Sequence, residues 1–241
     1  MAPTPEPALA DRLAALDWTA AEAALDRQGH CRLPGLLTAT ECRGLCRQFA
    51  EARLFRSTVD MARHGFGEGT YKYFAEPLPA LVALARVLLY ARLAPIANRM
   101  CQALGRPERY PDALAAYRRV CARHGQAKPT PLLLRYQAGG YNRLHRDLYG
   151  PLAFPLQATV LLSEPGREFT GGEFLLVENR PRQQAIGQAI ALRRGEGIVF
   201  AVNERPVAGR RGLLRASVRH GVSPLVCGQR YALGLIFHDA A

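Results

Sequence analysis

His145 and Asp147 stand two residues apart in the stretch YNRLHRDLYG at 141–150. Side chains alternate across a β-strand, so positions i and i+2 point the same way. An H-x-D at a strand end therefore aims one imidazole and one carboxylate at a common point. A third ligand is needed to complete a metal face. The best candidate is His220, 75 positions downstream in ASVRHGVS (216–223), a short run of alternating apolar residues that also reads as a strand. Two imidazoles and one carboxylate on one face suit a non-haem Fe(II) centre, because they leave coordination positions open for a co-substrate and O₂.

The same residues invite a different interpretation, since His145-Arg146-Asp147-Leu148 spells the opening of a protein-kinase catalytic loop. That loop needs an Asn five residues after its Asp to hold Mg²⁺. Position 152 is Leu, no Gly-rich loop with a following V-A-I-K strand precedes the motif, and no D-F-G follows it. The kinase interpretation fails.

The elements that must position the three ligands are strands. Eight candidates occupy 131–137, 142–147, 156–163, 172–178, 188–194, 197–203, 216–223 and 229–238, separated by turn residues such as Gly139-Gly140, Gly171-Gly172 and Gly195-Glu196-Gly197. Eight antiparallel strands in two sheets predict a double-stranded β-helix (jelly roll), a mainly β fold that manages its edges by double-sheet closure. Residues 131–241 would form this core, braced by an N-terminal helical support over 1–130 in one compact domain. In the support, 9–28 carries a helical apolar stripe, and a Thr19/Glu22 capping box could split it in two. A short strand is expected at 31–36 and a second amphipathic helix at 40–55. The Gly-rich, aromatic stretch MARHGFGEGTYKYF (61–74) reads as a loop over the core, of the kind that carries substrate contacts. Further helices are expected at 79–104, with a kink or break at Pro95, and at 110–123.

With its strands in place, the sequence resembles the iron(II)/2-oxoglutarate-dependent dioxygenases. The resemblance rests on His145, Asp147 and His220, on Arg230 ten residues past His220, on Tyr136 in LLLRYQAGG, and on TGGEF (170–174) and GEGIVF (195–200) between the ligands. It implies that His145, Asp147 and His220 bind Fe(II), and that Arg230 holds the distal carboxylate of the co-substrate 2-oxoglutarate. O₂ would be consumed and ascorbate is a candidate auxiliary. Many members carry Ser or Thr two residues after this Arg; Ala232 stands there, so Tyr136 is a candidate for the second carboxylate contact, alongside its plainer role as a core tyrosine. Ala232 and Gly234 share the face of Arg230 and leave room beside the guanidinium, whose fork suits a carboxylate.

The segments HRDLYG, FPLQ, LLSEP, TGGEF, RHGVS and GLIFHD look like a bacterial branch thought to act on nucleic acids, akin to the AlkB-type demethylases of alkylated bases in DNA repair. The alternatives are a prolyl-type protein hydroxylase and a catalytically inactive jelly-roll binding protein. The intact ligand set argues against the latter.

Bulk numbers bound the partners. The chain has 241 residues and a formal net charge of +12, and its only lysines are Lys72 and Lys128, so 30 of its 32 basic residues are arginine. Such an excess reflects either genomic base composition or attraction to phosphate. The charge is +6 on either side of residue 130, a charged body rather than a basic arm. Arg205, Arg210, Arg211, Arg215 and Arg219 fall within fifteen residues that lead into His220; they are read either as a solvated loop or as a phosphate-contacting rim of the site. His238-Asp239 is a rival ligand pair, placed at a solvent-facing strand exit, while His30, His64 and His124 adjoin glycines and read as turn residues. The six cysteines form no C-x-x-C and suit buried, reduced thiols. With no signal peptide expected and the apolar run 81–97 interrupted by Arg86 and Arg92, the expectation is a cytoplasmic enzyme with no membrane partner.

Overall fold

The computed structural model describes residues 7–209 and 212–241. Fourteen strands among them are β1 (His30–Leu33), β2 (Phe55–Asp60), β3 (Gly67–Glu68), β4 (Thr70–Phe74), β5 (Leu132–Gln137), β6 (Tyr141–His145), β7 (Leu156–Leu161), β8 (Phe169–Gly171), β9 (Phe174–Asn179), β10 (Ile186–Ile190), β11 (Gly197–Ala201), β12 (Glu204–Gly209), β13 (Gly212–Val222) and β14 (Leu225–Leu235). The major sheet runs β1-β11-β7-β14-β5-β4-β2, with β8 added to β14. The minor sheet runs β10-β9-β13-β6-β3, with β12 added to β13. The fold is the predicted jelly roll. Its major-sheet centre is covered on both sides: all six residues of β7 are buried.

The region before residue 131 is not helical alone. It supplies β1, β2 and β4 to the major sheet and β3 to the minor one. The stretch 61–74, expected as a loop, holds β3 and β4; β4 pairs with β5 through Thr70↔Arg135 to Tyr73↔Leu132. Its glycines mask an alternation in TYKYF that is short but complete. Tyr71 and Tyr73 line the inter-sheet cavity, whereas Lys72 turns away to donate to the Phe49 carbonyl at 2.9 Å.

Five helices complete the described residues: α1 (Leu9–Ala14), α2 (Trp18–Gln28), α3 (Ala39–Gln48), α4 (Ala80–Ala103) and α5 (Leu114–Arg123). The stretch 9–28 does split in two, but Asp17 caps α2 by accepting from the Ala20 N–H; the capping box lies instead at Thr38 and Glu41, opening α3. The helix α4 continues through Pro95 without a break, and by length and composition alone its 24 residues would suffice to cross a membrane. The expected helix over 79–104 is thus present, without the break anticipated at Pro95. Eleven of its residues are buried in this fold, and Arg86 is tied to its core. The Arg86 guanidinium donates to the Ile236 carbonyl at 2.9 Å and pairs with Asp239 at 2.7 Å, and Arg118 reaches the other oxygen of Asp239 at 2.8 Å.

His238 and Asp239 are therefore buried, not solvent-facing. His30 is likewise buried, in β1. These are long-range effects: both segments end or begin strands, and only tertiary packing decides whether such ends see water. All six cysteines are free, and burial pushes the thiols of Cys31 and Cys42 up to about 12, which keeps them protonated and inert.

The buried His238 carries a pH prediction. Its Nδ1 accepts from the Phe154 N–H at 3.2 Å, and burial pushes its pKa down to about 4. The unfolded chain takes up this proton near 6.5, the folded chain only near 4, so stability is full above about 6.5 and declines as the pH falls toward 4. A shift of this size corresponds to at most about 3–4 kcal/mol. Denaturant unfolding in the presence of a chelator should show that decline. His238→Asn, which keeps an acceptor but does not titrate, should be less acid-sensitive; an unchanged pH profile would refute the assignment. His30 and His220, also lowered by burial, account for the residual slope.

Candidate metal centre

The predicted ligands converge. In the minor sheet β13 pairs with β6 so that His220 lies directly across from His145. Gly221 permits this approach, since a Cβ there would sit 2.6 Å from the Asn142 carbonyl oxygen. The imidazole rings are 4.2 Å apart between centroids. Asp147, just beyond the end of β6, places one carboxylate oxygen before each ring: Oδ1 is 3.4 Å from His145 Nε2 and Oδ2 is 3.3 Å from His220 Nε2. One ligand atom from each residue can be chosen so that all lie within 4.8 Å of one another.

This donor set fits a first-row divalent metal. Two metal–ligand bonds of about 2.1 Å at right angles span roughly 3 Å, close to the separations seen. The tautomer is also set: His145 Nδ1–H donates to the Arg143 carbonyl at 2.7 Å, leaving its Nε2 lone pair toward Asp147. Burial and the neighbouring His145 charge lower the pKa of His220, so its ring is neutral and ready to ligate. Burial disfavours the charge on Asp147, yet hydrogen bonds with His145 and His220 hold its carboxyl well below the usual range. His145 is moved oppositely: burial lowers its pKa, but the Asp147 carboxylate outweighs this and raises it.

The triad opens on a cavity of about 370 Å³ between the sheets, a size suited to a small co-substrate. The major sheet supplies its far wall, with Tyr71 and Tyr73 from β4, Tyr136 from β5, Gln157 and Thr159 from β7, and Arg230, Ala232 and Gly234 from β14. Arg230 is paired across strands with Tyr136 and is only 2% exposed. Its Nε, the Tyr136 hydroxyl and Gln157 Oε1 are all buried without a hydrogen-bond partner. Buried polar atoms are rarely left unpaired, and the two donors among them, Arg230 Nε and the Tyr136 hydroxyl, fit a carboxylate-bearing ligand such as 2-oxoglutarate. Burial pushes the Tyr136 phenol up to about 12, so it remains a donor. Arg135 and Arg219, the other candidate bases, lie elsewhere: Arg135 stacks 4.9 Å above the Phe49 ring and Arg219 is exposed.

Of the arginine-rich segment, Arg205 does not reach a rim of the site. Arg205 is buried, paired with Glu178 at 2.5 Å, and donates to the Asp26 carbonyl at 2.9 Å. Arg215 lies 3.5 Å from Glu204 across β12 and β13. Arg210 and Arg211 lie outside the described residues. Glu178 and Glu204 lie outside the arginine-rich segment or at its border, so a charge count within it could not reveal their pairing. The exposed guanidiniums that do line the cavity are Arg143 and Arg146, on and beside β6.

Sequence reasoning missed Tyr149, whose hydroxyl donates to Asp147 Oδ1 at 2.6 Å. Its place two residues after Asp147 repeats the H-x-D spacing, the one signal that could have found it. Gln157 and Thr159 were missed because polar residues in a fully buried strand have no local signature.

Similar proteins place this geometry in a family. Residues 69–240 match the family model Oxygenase-NA, described as an oxygenase catalysing oxidative methylation of damaged DNA. An uncharacterized protein of Mycobacterium tuberculosis is 47% identical over 168 residues, covering 70% of this chain and 72% of the relative. Among solved structures, a Pseudomonas putida prolyl-4-hydroxylase superposes with a TM-score of 0.53 at 16% identity, covering 93% of this chain and 99% of that one. A 2OG-Fe(II) oxygenase-family oxidoreductase from Burkholderia pseudomallei gives 0.52 at 18%, over 99% and 95%. A Trichoplax adhaerens prolyl hydroxylase in complex with a peptide fragment gives 0.54 at 14%, over 96% and 92%. The structural likenesses give the fold, the sequence matches give the lineage, and the chain belongs to the Oxygenase-NA family of oxygenases, with a His145-Asp147-His220 cluster that could hold a metal ion.

Proposed function

We propose that this dioxygenase oxidises an alkyl group on a nucleic-acid base, as a DNA-repair demethylase would, with iron held by His145, Asp147 and His220 and 2-oxoglutarate by Arg230. The observation that carries the reading is the single cavity in which the three ligands face a buried, unpartnered guanidinium. Bound iron supplies the coupling of 2-oxoglutarate decarboxylation, to succinate and CO₂, with insertion of one oxygen atom of O₂ into a substrate C–H. An N-methyl group so hydroxylated leaves as formaldehyde and restores the N–H.

The protein groups bind and orient. Arg230 offers its fork to the distal carboxylate, and the Tyr136 hydroxyl provides the second donor that Ala232 cannot. Tyr149 and the Arg143 carbonyl fix the orientations of Asp147 and His145. Phe174 and Phe200 pack against His220, at 6.0 and 4.7 Å between ring centroids, and keep water from that side.

Nucleic acid as the substrate is supported by the family description, by the charge of +12, and by Arg143 and Arg146 on the cavity wall, where Asp147 is the lone acid among the lining residues. Mass spectrometry of alkylated oligonucleotides and of a lysate peptide pool, after incubation with iron, ascorbate and 2-oxoglutarate, tests it directly. Loss of an alkyl mass from the oligonucleotides is expected; a hydroxylated peptide with untouched oligonucleotides would move the assignment to a protein hydroxylase.

Salt dependence provides a further check. Counterion release lowers affinity by about 0.7 log units per log unit of salt for each single-strand phosphate contacted. Fluorescence anisotropy should give a slope corresponding to roughly two to four contacts, and Arg143→Ser should flatten it by about 0.7. An unchanged slope would remove Arg143 from the phosphate contacts.

A further inference from the structure

The lip of the cavity is built by the turn between β2 and β4, and its two aromatic rings have no role in the chemistry above. The rings of His64 and Phe66 stack on one another, 5.3 Å between centroids and 22° from parallel. Phe66 is 46% exposed and lines the same cavity as the metal triad. Leaving so much aromatic surface in water is unfavourable, and Leu144, which lines the same cavity, is exposed as well.

The backbone beneath Phe66 is held in place. The Phe66 N–H donates to the Met61 carbonyl at 3.0 Å, and its carbonyl accepts from the Arg143 N–H at 2.8 Å. Gly67 pairs with Asn142 and Glu68 with Tyr141. Gly67 has φ +137°, and a Cβ there would lie 2.3 Å from the Tyr141 carbonyl oxygen, so only glycine lets the turn lie against β6. The strand that presents His145 thus also fixes the height of the Phe66 ring. Arg143 and Arg146 flank it along the same wall.

A rigid, half-exposed π face beside guanidiniums is what an unpaired base and its phosphates require. Base–aromatic stacking tolerates any sequence because every base has a π face, and cationic side chains track the backbone. We propose that Phe66, backed by His64, is a stacking platform that holds an unpaired nucleobase at the cavity mouth and so positions the strand whose base is oxidised. This inference rests on the nucleic-acid reading above. A base within a duplex would have to leave its stack to reach the ring, so single strands bind better than duplexes.

The test uses the full chain and a single-stranded oligonucleotide carrying 2-aminopurine, whose fluorescence is quenched when it stacks. Phe66→Ala should weaken binding by about five- to a hundred-fold and relieve the quenching seen with the wild type. Phe66→Tyr should restore both, and 2-oxoglutarate affinity should be the same in all three proteins. Equal affinity and equal quenching in Phe66→Ala would overturn the platform while leaving the nucleic-acid reading in place. Binding without quenching by the wild type would overturn the platform alone, and absence of binding would overturn both.

Discussion

Replacing His145, Asp147 or His220 by Ala is expected to abolish Fe(II)-dependent conversion of 2-oxoglutarate to succinate. Each removes one of three donors that meet within 4.8 Å, and no fourth His, Cys, Asp or Glu joins that cluster among the described residues. The fold should persist, because the backbone pairing of β13 with β6 and β9 does not depend on the side chains replaced, and all three ligands line a cavity. Succinate release and far-UV circular dichroism measured together check this. Turnover at the wild-type rate in any of the three folded variants would refute the triad. His238, the rival from the sequence, does not present itself as a replacement: its Nδ1 is engaged by the Phe154 N–H, and it lies outside the cluster of ligand atoms formed by His145, Asp147 and His220.

The second large effect is expected at Arg230. A hydrogen bond to a charged group contributes about 1.5–3 kcal/mol, so Arg230→Ala should weaken 2-oxoglutarate binding by roughly ten- to a hundred-fold. Metal binding should survive, since Arg230 belongs to the opposite sheet from the ligands. Calorimetric titration of 2-oxoglutarate into protein loaded with Mn(II), a redox-quiet stand-in, measures the change. Arg230→Lys should recover part of it, because an ammonium keeps the charge but loses the planar fork. An unchanged affinity in Arg230→Ala would place the carboxylate elsewhere.

The chemistry of this chain was legible where it depends on strand periodicity. Two residues of separation brought Asp147 beside His145 although β6 ends at His145, two residues short of the strand expected over 142–147, and alternation put Arg230, Ala232 and Gly234 together on β14, all three on the cavity wall. Legibility ended where partners come from distant segments. Arg205 looked like a free cation until Glu178, on a different strand, was placed beside it. The stretch 61–74 looked like a loop because Gly65, Gly67 and Gly69 interrupt its pattern, yet those glycines allow the chain to approach β6 and then enter the major sheet as β4, between β5 and β2. His238 looked solvent-facing because few residues follow it, whereas Arg86, more than 150 positions earlier in the chain, holds the carbonyls around it inside. Local pattern sets which side of a strand a residue takes; it does not say what covers that side.

The final residues bear on how the protein is best handled. Ala240 exchanges two backbone hydrogen bonds with Lys128, and the Ala241 N–H donates to the carbonyl of Tyr149. Tyr149 in turn holds the Asp147 carboxylate. An affinity handle or reporter fused directly after Ala241 would therefore pull on a segment two contacts from the metal ligand. Fusion at the other end, ahead of α1, would leave that linkage undisturbed, and a mismatch in iron occupancy between the two fusions would be the first sign that the tether itself had been felt.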